Sequence, residues 1–266
     1  MNINYKSFSI QPQKRLGQNF LTDFNIARKI IQIAEIETFP NCTVVEIGAG
    51  FGSLTRATIE KNPNPILIEK DETLFQFLKQ EFPTALSIHQ DFLDTNLAQL
   101  NNDRNLIILG NIPYAITSAI LFKLLEFKSI ISHAVLMIQL EVAERIVAKP
   151  GTKAYGILSV QFQILTKPTI AFRISKKVFK PQPKVESAVI HLDFSASSLI
   201  SQDLEKKLRY LVRTAFMMRR KTLLNNLKGV FPLDNIPDDL LRKRPEDISP
   251  NEYMALSKML LNCDIF

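Results

Sequence analysis

From about residue 24 onward the apolar positions follow two alternating rhythms. Stretches with apolar residues three and four apart predict helices over residues 25–36, 53–61, 72–81 and 140–147, with another starting after Thr117. Between them, short β-branched and aliphatic runs predict strands over 43–47, 65–68, 85–89, 106–110 and 134–138. Strands that alternate with helices mean a mostly parallel α/β sheet covered on both faces. Two further strand-like runs, 168–174 and 185–194, are joined by a short segment bearing prolines and no crossover helix. They are expected as an antiparallel pair at the sheet edge.

The small, polar run SASSLIS at 195–201 then marks a boundary. It separates a first domain over 1–195, with an N-terminal arm over 1–24, from a second over 196–266. Residues 202–218 carry Leu204, Leu208, Leu211, Val212 and Ala215 at helical spacing, one buried face, so the second domain is expected to be small and helical.

Composition narrows the class. With 266 residues, 46% hydrophobic and 22% charged, the chain can bury a core and is not disordered. No apolar run approaches the roughly 18 residues of a membrane span. The N-terminus lacks a signal-peptide pattern, and only 13 residues precede Lys14, few for a transit peptide; a cytoplasmic protein is expected. Cys42 and Cys263 are too sparse for a disulfide framework, and His89, His133 and His191 are not spaced as metal ligands, so no metal is expected. The formal charge is +7, and from Lys206 to Lys228 the chain has eight Lys and Arg with no Asp or Glu. A face so crowded with cations suits a polyanion such as RNA.

Four segments carry candidate chemistry. In VVEIGAGFGSLT, a strand runs into Gly48, Gly50 and Gly52 and then a helix start, a turn able to hold a polar ligand at the sheet's carboxyl edge. Its G-x-G-x-G spacing departs from that of dinucleotide enzymes. Glu69 ends the next strand in ILIEKD, 21 residues after Gly48, where a carboxylate can accept both hydroxyls of a ribose. Asp91, in HQDFLD beyond the third strand, can accept from the exocyclic amine of an adenine. In LGNIPYAIT, Asn111 offers a side-chain carbonyl, Pro113 a rigid turn, and Tyr114 a flat face and a phenol, groups that suit a planar amine.

These segments, with KRLGQNFL at the N-terminus, KAYGILSV, FKPQPKVESAVI, RRKTLLNNLK and RPEDIS, resemble the ribosomal RNA adenine N6-dimethyltransferases, most closely their bacterial small-subunit branch. The resemblance spans nearly the whole chain. It implies a class I Rossmann-like methyltransferase fold, with a mostly parallel seven-stranded sheet and an antiparallel edge hairpin, plus a small all-helical C-terminal domain that contacts RNA. It implies S-adenosylmethionine as cofactor and 16S rRNA, in the small subunit or its precursor, as partner, dimethylated at two adjacent adenosines of the 3′-terminal hairpin loop. A monomer with no obligate protein partner is expected. Carried over residue by residue, Asn19 and Leu21 match contacts to the methionine end of the cofactor and Gly48 the glycine of its loop. Glu69 matches the ribose acid, Asp91 the adenine acceptor, and Asn111 the last cofactor contact and first substrate contact. Tyr114 and Phe179 match aromatics expected to sandwich the target adenine. The Asn111 side-chain oxygen and the Ile112 carbonyl are expected to accept from the target N6; Ile112 stands where this branch more often has Leu. Arg219, Arg220 and Lys221 are expected to grip RNA. Two alternatives stand beside this reading: a 23S rRNA methyltransferase conferring antibiotic resistance, and a ribosome-assembly binding factor.

Overall fold

The computed structural model describes residues 3–5, 8–10, 12–13, 17–101, 105–195 and 200–261. Residues 14–16 of the KRLGQNFL segment, 196–199 of the expected boundary, and Cys263 lie outside them. The chain opens with β1 (Ile3–Tyr5), β2 (Phe8–Ile10) and β3 (Phe20–Leu21), followed by α1 (Phe24–Ile33). Strands and helices then alternate: β4 (Thr43–Ile47), α2 (Ser53–Ile59), β5 (Ile66–Glu69), α3 (Glu72–Glu81), β6 (Leu86–His89), β7 (Leu106–Asn111), α4 (Thr117–Glu126), β8 (Ile131–Gln139). Next come α5 (Leu140–Ile146), α6 (Ile157–Leu165), β9 (Lys167–Ile174), β10 (Phe179–Lys180) and β11 (Ser187–Asp193). The remainder is helical: α7 (Gln202–Ala215), α8 (Leu223–Leu227), α9 (Asp238–Arg242) and α10 (Pro250–Met259).

Seven strands form one sheet in the order β6-β5-β4-β7-β8-β11-β9. From β6 to β8 every pairing is parallel, and β11 runs antiparallel to β8, with His191 opposite Val135. The two late strands sit at the edge, where the missing crossover helix places them. Leu106, Ile107, Ile108 and Leu109 are all fully buried, as expected of a central parallel strand covered on both faces. On one face α1 and α2 bury Ala27, Ile30, Leu54 and Ala57 against Val44, Ile107, Leu109 and Val135. Alternation along the strands turns Val45 and Ile108 to the other. Local chemistry sets the helix starts: the Asp23 carboxylate caps α1 through the amides of Asn25 and Ile26, and Asp71 caps α3 through Thr73 and Leu74.

The chain divides into two compact units, Met1–Ala143 with Thr169–Phe194, and Glu144–Pro168 with Ser195–Phe266. The break after Phe194 falls at the polar run, but the second unit also takes in residues 144–168. Its core explains why: Tyr155 and Val160 are buried with Leu208, Leu211, Leu227 and Tyr253, so α6 packs with the C-terminal helices. The phenols of Tyr155 and Tyr253 donate to the carbonyls of Ile248 and Pro245 at 2.8 and 2.9 Å, tying this core to the RPEDIS segment. The crowded basic stretch is partly neutralised from outside itself. Arg209 pairs with Glu205 at 2.6 Å one helical turn before it, and Arg219 with Glu246 at 2.7 Å.

Candidate active site

Because β4, β5, β6 and β7 run parallel and in register, with Ile47 beside both Ile68 and Gly110, their carboxyl ends open onto one crevice. The glycine-rich turn after β4 forms its floor. Gly48 has φ +61°, and a Cβ there would meet nothing within 4 Å, so the backbone lies bare to the cleft. Gly52, at φ +71°, has no such room: a Cβ would sit 2.2 Å from the Phe82 ring.

Glu69, at the end of β5, is only 6% exposed. One oxygen accepts the Gly50 N–H and the other the Asp71 N–H, both at 2.9 Å, so the acid braces the glycine turn while keeping acceptor capacity toward the cleft. Burial raises its pKa in spite of those bonds. Asp91 spends one oxygen on the Leu93 N–H, and the other accepts from Lys70 Nζ at 2.6 Å. Burial, the largest single influence, would raise its pKa, but the bonds from Lys70 and the Leu93 amide, together with the charges of Lys70 and Lys123, outweigh it and hold the carboxyl below its ordinary value.

Asn111 closes β7. Its amide nitrogen donates to the Asn19 carbonyl at 2.7 Å, so the side-chain oxygen is the end left to accept from a ligand. Tyr114 is half-buried, its hydroxyl 2.8 Å from Ser187 Oγ, and burial raises its pKa, so the phenol is neutral.

The N-terminal arm forms the remaining wall. Ser53 Oγ donates to the Leu21 carbonyl at 2.6 Å, and β3 pairs with β10, placing Leu21 opposite Phe179. The Gln13 and Gln18 side chains both donate to the Asp71 carboxylate, at 2.7 and 3.3 Å. A polar relay thus runs from the arm through Asp71 to Glu69 and the glycine turn. Beneath the turn Glu46 is 2% exposed, accepting the Thr55 hydroxyl at 2.7 Å, and burial pushes its carboxyl up to about 8.

Of the residues expected from sequence, Asn19, Gly48, Glu69, Asp91, Asn111, Ile112 and Tyr114 all line this cleft. Leu21 and Phe179 do not. They are 4% and 2% exposed and are packed together with Ala27, Leu109 and Val189 in the core under the arm. Gln18 and Lys70 also line the cleft. Gln18 falls inside the KRLGQNFL segment and Lys70 inside ILIEKD, but neither carries a role assigned from sequence. In the second unit, Arg220 and Lys221 are exposed in the turn after α7, whereas Arg219 is engaged with Glu246 and with the carbonyls of Thr152 and Lys153.

The bare turn at Gly48, the ribose-suited acceptors of Glu69 and the amine-suited acceptor of Asp91 fit S-adenosylmethionine, and the fold and cleft are those of a Rossmann-like methyltransferase that uses it. The chain belongs to the family described as ribosomal RNA adenine dimethylase, whose model matches residues 10–260. A relative from Chlorobium phaeobacteroides (strain DSM 266), named Ribosomal RNA small subunit methyltransferase A, is 47% identical over 260 residues, 98% of this chain and 95% of its own. Among solved structures, a dimethyladenosine transferase from Plasmodium falciparum is 25% identical with a TM-score of 0.77, covering 93% of this chain and 100% of that one. The 23S rRNA methyltransferase ErmE is also 25% identical, with a TM-score of 0.73 over 91% of this chain and 99% of its own.

Proposed function

We propose that the chain dimethylates N6 of two adjacent adenosines in the 3′-terminal hairpin loop of 16S rRNA, working as a cytoplasmic monomer on the small subunit or its precursor. The 47% identity to a small-subunit methyltransferase, against 25% to ErmE, favours this target over 23S rRNA. The observation that carries the chemistry is the Asn111–Asn19 bond, which commits the amide nitrogen and leaves the Asn111 oxygen for the substrate.

Bound S-adenosylmethionine supplies a methyl already activated on a sulfonium. An adenine amino group is a weak nucleophile because its lone pair is delocalised into the ring, so the protein's task is positioning and electrostatics. The Asn111 oxygen and the Ile112 carbonyl accept the two N6 hydrogens, favouring a pyramidal nitrogen and stabilising the positive charge that develops on it. The surplus proton leaves to solvent, and the scheme needs no dedicated general base. Glu69 holds the ribose hydroxyls, Asp91 the adenine amine of the cofactor, the Gly48 turn its main-chain approach, and Asn19, with Leu21 behind it, the methionine end.

Tyr114 stacks on the target base and offsets part of the cost of unstacking it, about 1–3 kcal/mol. Phe179, buried beneath the arm, supports that wall in the present conformation rather than offering a face to the base. Arg220 and Lys221 grip phosphates, with Arg219 beside them. The test is labelled methyl transfer to small and large subunits lacking adenine dimethylation. Label confined to the small subunit is expected; label confined to the large subunit would make the chain a resistance-type enzyme, and cofactor binding without transfer would make it an assembly factor.

A further inference from the structure

Three cationic neighbours, Arg219, Arg220 and Lys221, read alike in sequence, but the structure separates them. Arg219 Nε donates to Glu246 Oε2 at 2.7 Å, and Nη2 donates to the Lys153 carbonyl at 2.7 Å and the Thr152 carbonyl at 3.3 Å. The Glu246 carbonyl in turn accepts the Gly151 N–H at 2.7 Å, so Glu246 holds the loop at 149–155 both directly and through Arg219. Both segments joined here are internally fixed. In the turn after α7, the Asn226 side chain accepts the Met218 N–H and donates to the Met218 carbonyl. In the loop, Thr152 Oγ1 donates to the Lys149 carbonyl at 2.7 Å, and buried Tyr155 anchors the end to Ile248.

Lys149, Lys153, Arg220 and Lys221 are exposed, and none has an ion pair among the described residues. Lys153 is the residue whose carbonyl Arg219 holds, and Arg220 is the residue next to Arg219. The joint therefore sets two cationic loops side by side, and the carboxylate at the joint, Glu246, is engaged by Arg219.

We infer that Arg219 is a positioning residue rather than a phosphate ligand, and that it bolts the loop at 149–155 to the turn at 216–222 so that Lys149, Lys153, Arg220 and Lys221 form one docking surface for the phosphate backbone of rRNA. Four exposed cations on two segments joined by hydrogen bonds match a polyanion. The inference rests on the reading that this unit holds rRNA, and it deepens that reading. Arginine suits the role because its planar fork bonds an acid on one side and carbonyls on the other; a lysine ammonium keeps the charge but cannot span both.

The test compares Arg219→Lys, Glu246→Ala, Lys153→Ala and the double variant Arg219→Lys/Lys153→Ala for binding to small subunits across a salt series, with methyl-transfer kinetics and cofactor affinity measured in parallel. Lys153→Ala is expected to weaken binding and to flatten the log–log salt slope by about 0.7–0.9, one lost phosphate contact. Arg219→Lys should weaken binding about three- to ten-fold although it conserves charge, and the double variant should bind no more weakly than the poorer single one. Glu246→Ala should weaken binding although it removes a negative charge. In each variant KM for the subunit rises while kcat and cofactor affinity hold. Arg219→Lys that binds like the unsubstituted chain, or Glu246→Ala that binds more tightly, overturns the positioning role. An unchanged salt slope in Lys153→Ala removes the loop from the surface. If the unsubstituted chain shows no salt-dependent binding, the rRNA reading itself falls and the inference with it.

Discussion

Replacing Asn111 with alanine removes two interactions at once, and their sizes differ enough to be read apart. The side-chain nitrogen donates to the Asn19 carbonyl at 2.7 Å, and its loss strands that carbonyl in a half-buried arm, a cost of about 1–3 kcal/mol. Part of that cost falls on docking of the arm, and since Asn19 lines the cleft, cofactor affinity should drop by up to about ten-fold. The side-chain oxygen is proposed to meet charge that develops only during transfer, and a group of that kind is worth about 2.7–4 kcal/mol, or about 10²–10³ in kcat. Single-turnover methyl transfer at saturating cofactor, beside calorimetric titration of S-adenosylmethionine, separates the two effects. Asn111→Asp sharpens the separation: it keeps acceptor oxygens but loses the donor to Asn19, so it should damage cofactor binding. Near-normal single-turnover rates in Asn111→Ala with normal cofactor binding would refute the positioning scheme.

Four further predictions follow from individual side chains. Glu46 carries a pKa raised from 4.5 to about 8, so folding takes up a proton between those values and its contribution to stability falls as pH rises through that window, by up to about 1.4 kcal/mol per pH unit. Glu46→Gln keeps an acceptor for Thr55 and removes the proton uptake, so its thermal midpoint should gain on that of the unsubstituted chain from pH 5 to pH 8; parallel midpoints would show that the acid is not held protonated. Asp91→Asn should weaken S-adenosylmethionine binding about ten-fold by loss of charge-assisted bonds, and a change under two-fold in calorimetry would remove Asp91 from the cofactor site. Tyr114→Ala should lower kcat/KM for the subunit by about five- to a hundred-fold, whereas Tyr114→Phe, which loses only the bond to Ser187, should stay within a few-fold; equal losses would assign the tyrosine to structure. Phe179→Ala should cost about 3–5 kcal/mol of stability, read by denaturant unfolding, and a purely kinetic defect would instead place the ring against the base.

How far the chain could be read in advance depended on where each signal lay. Strands β4, β5 and β7 were visible because central parallel strands are apolar on both faces, and the acids at their ends were visible because the glycine turn fixed the frame against which Glu69 could be counted. Helix α6 was not visible. Its sequence, ILSVQFQIL, sets Ser159, Gln161 and Gln163 at every second position between apolar residues, the period of a strand, while the helix buries Ser159 and Gln161 along with Val160, Phe162 and Leu165. The start of β8 at Ile131 was hidden by His133, a polar residue that is only 4% exposed because its Nε2 lies 2.7 Å from the Ala34 carbonyl. The relay from Gln13 and Gln18 to Asp71 joins residues more than fifty positions apart, which no local pattern encodes. Phe179 shows another limit: the resemblance implies a ring against the target base, and no local pattern encodes that the same residue is 2% exposed and opposite Leu21 in the β3–β10 pair. The run RRK looked uniform because charge was legible, while the carboxylate that singles out Arg219 comes from 27 residues away.

The central claim is tested most directly by incubating the chain with labelled S-adenosylmethionine and small subunits that lack adenine dimethylation, then counting modified nucleosides and mapping them by mass spectrometry. Two N6,N6-dimethyladenosines per particle at neighbouring positions near the 3′ end of the small-subunit RNA are predicted. Monomethyladenosine as the final product, or modification elsewhere in that RNA, would contradict the account.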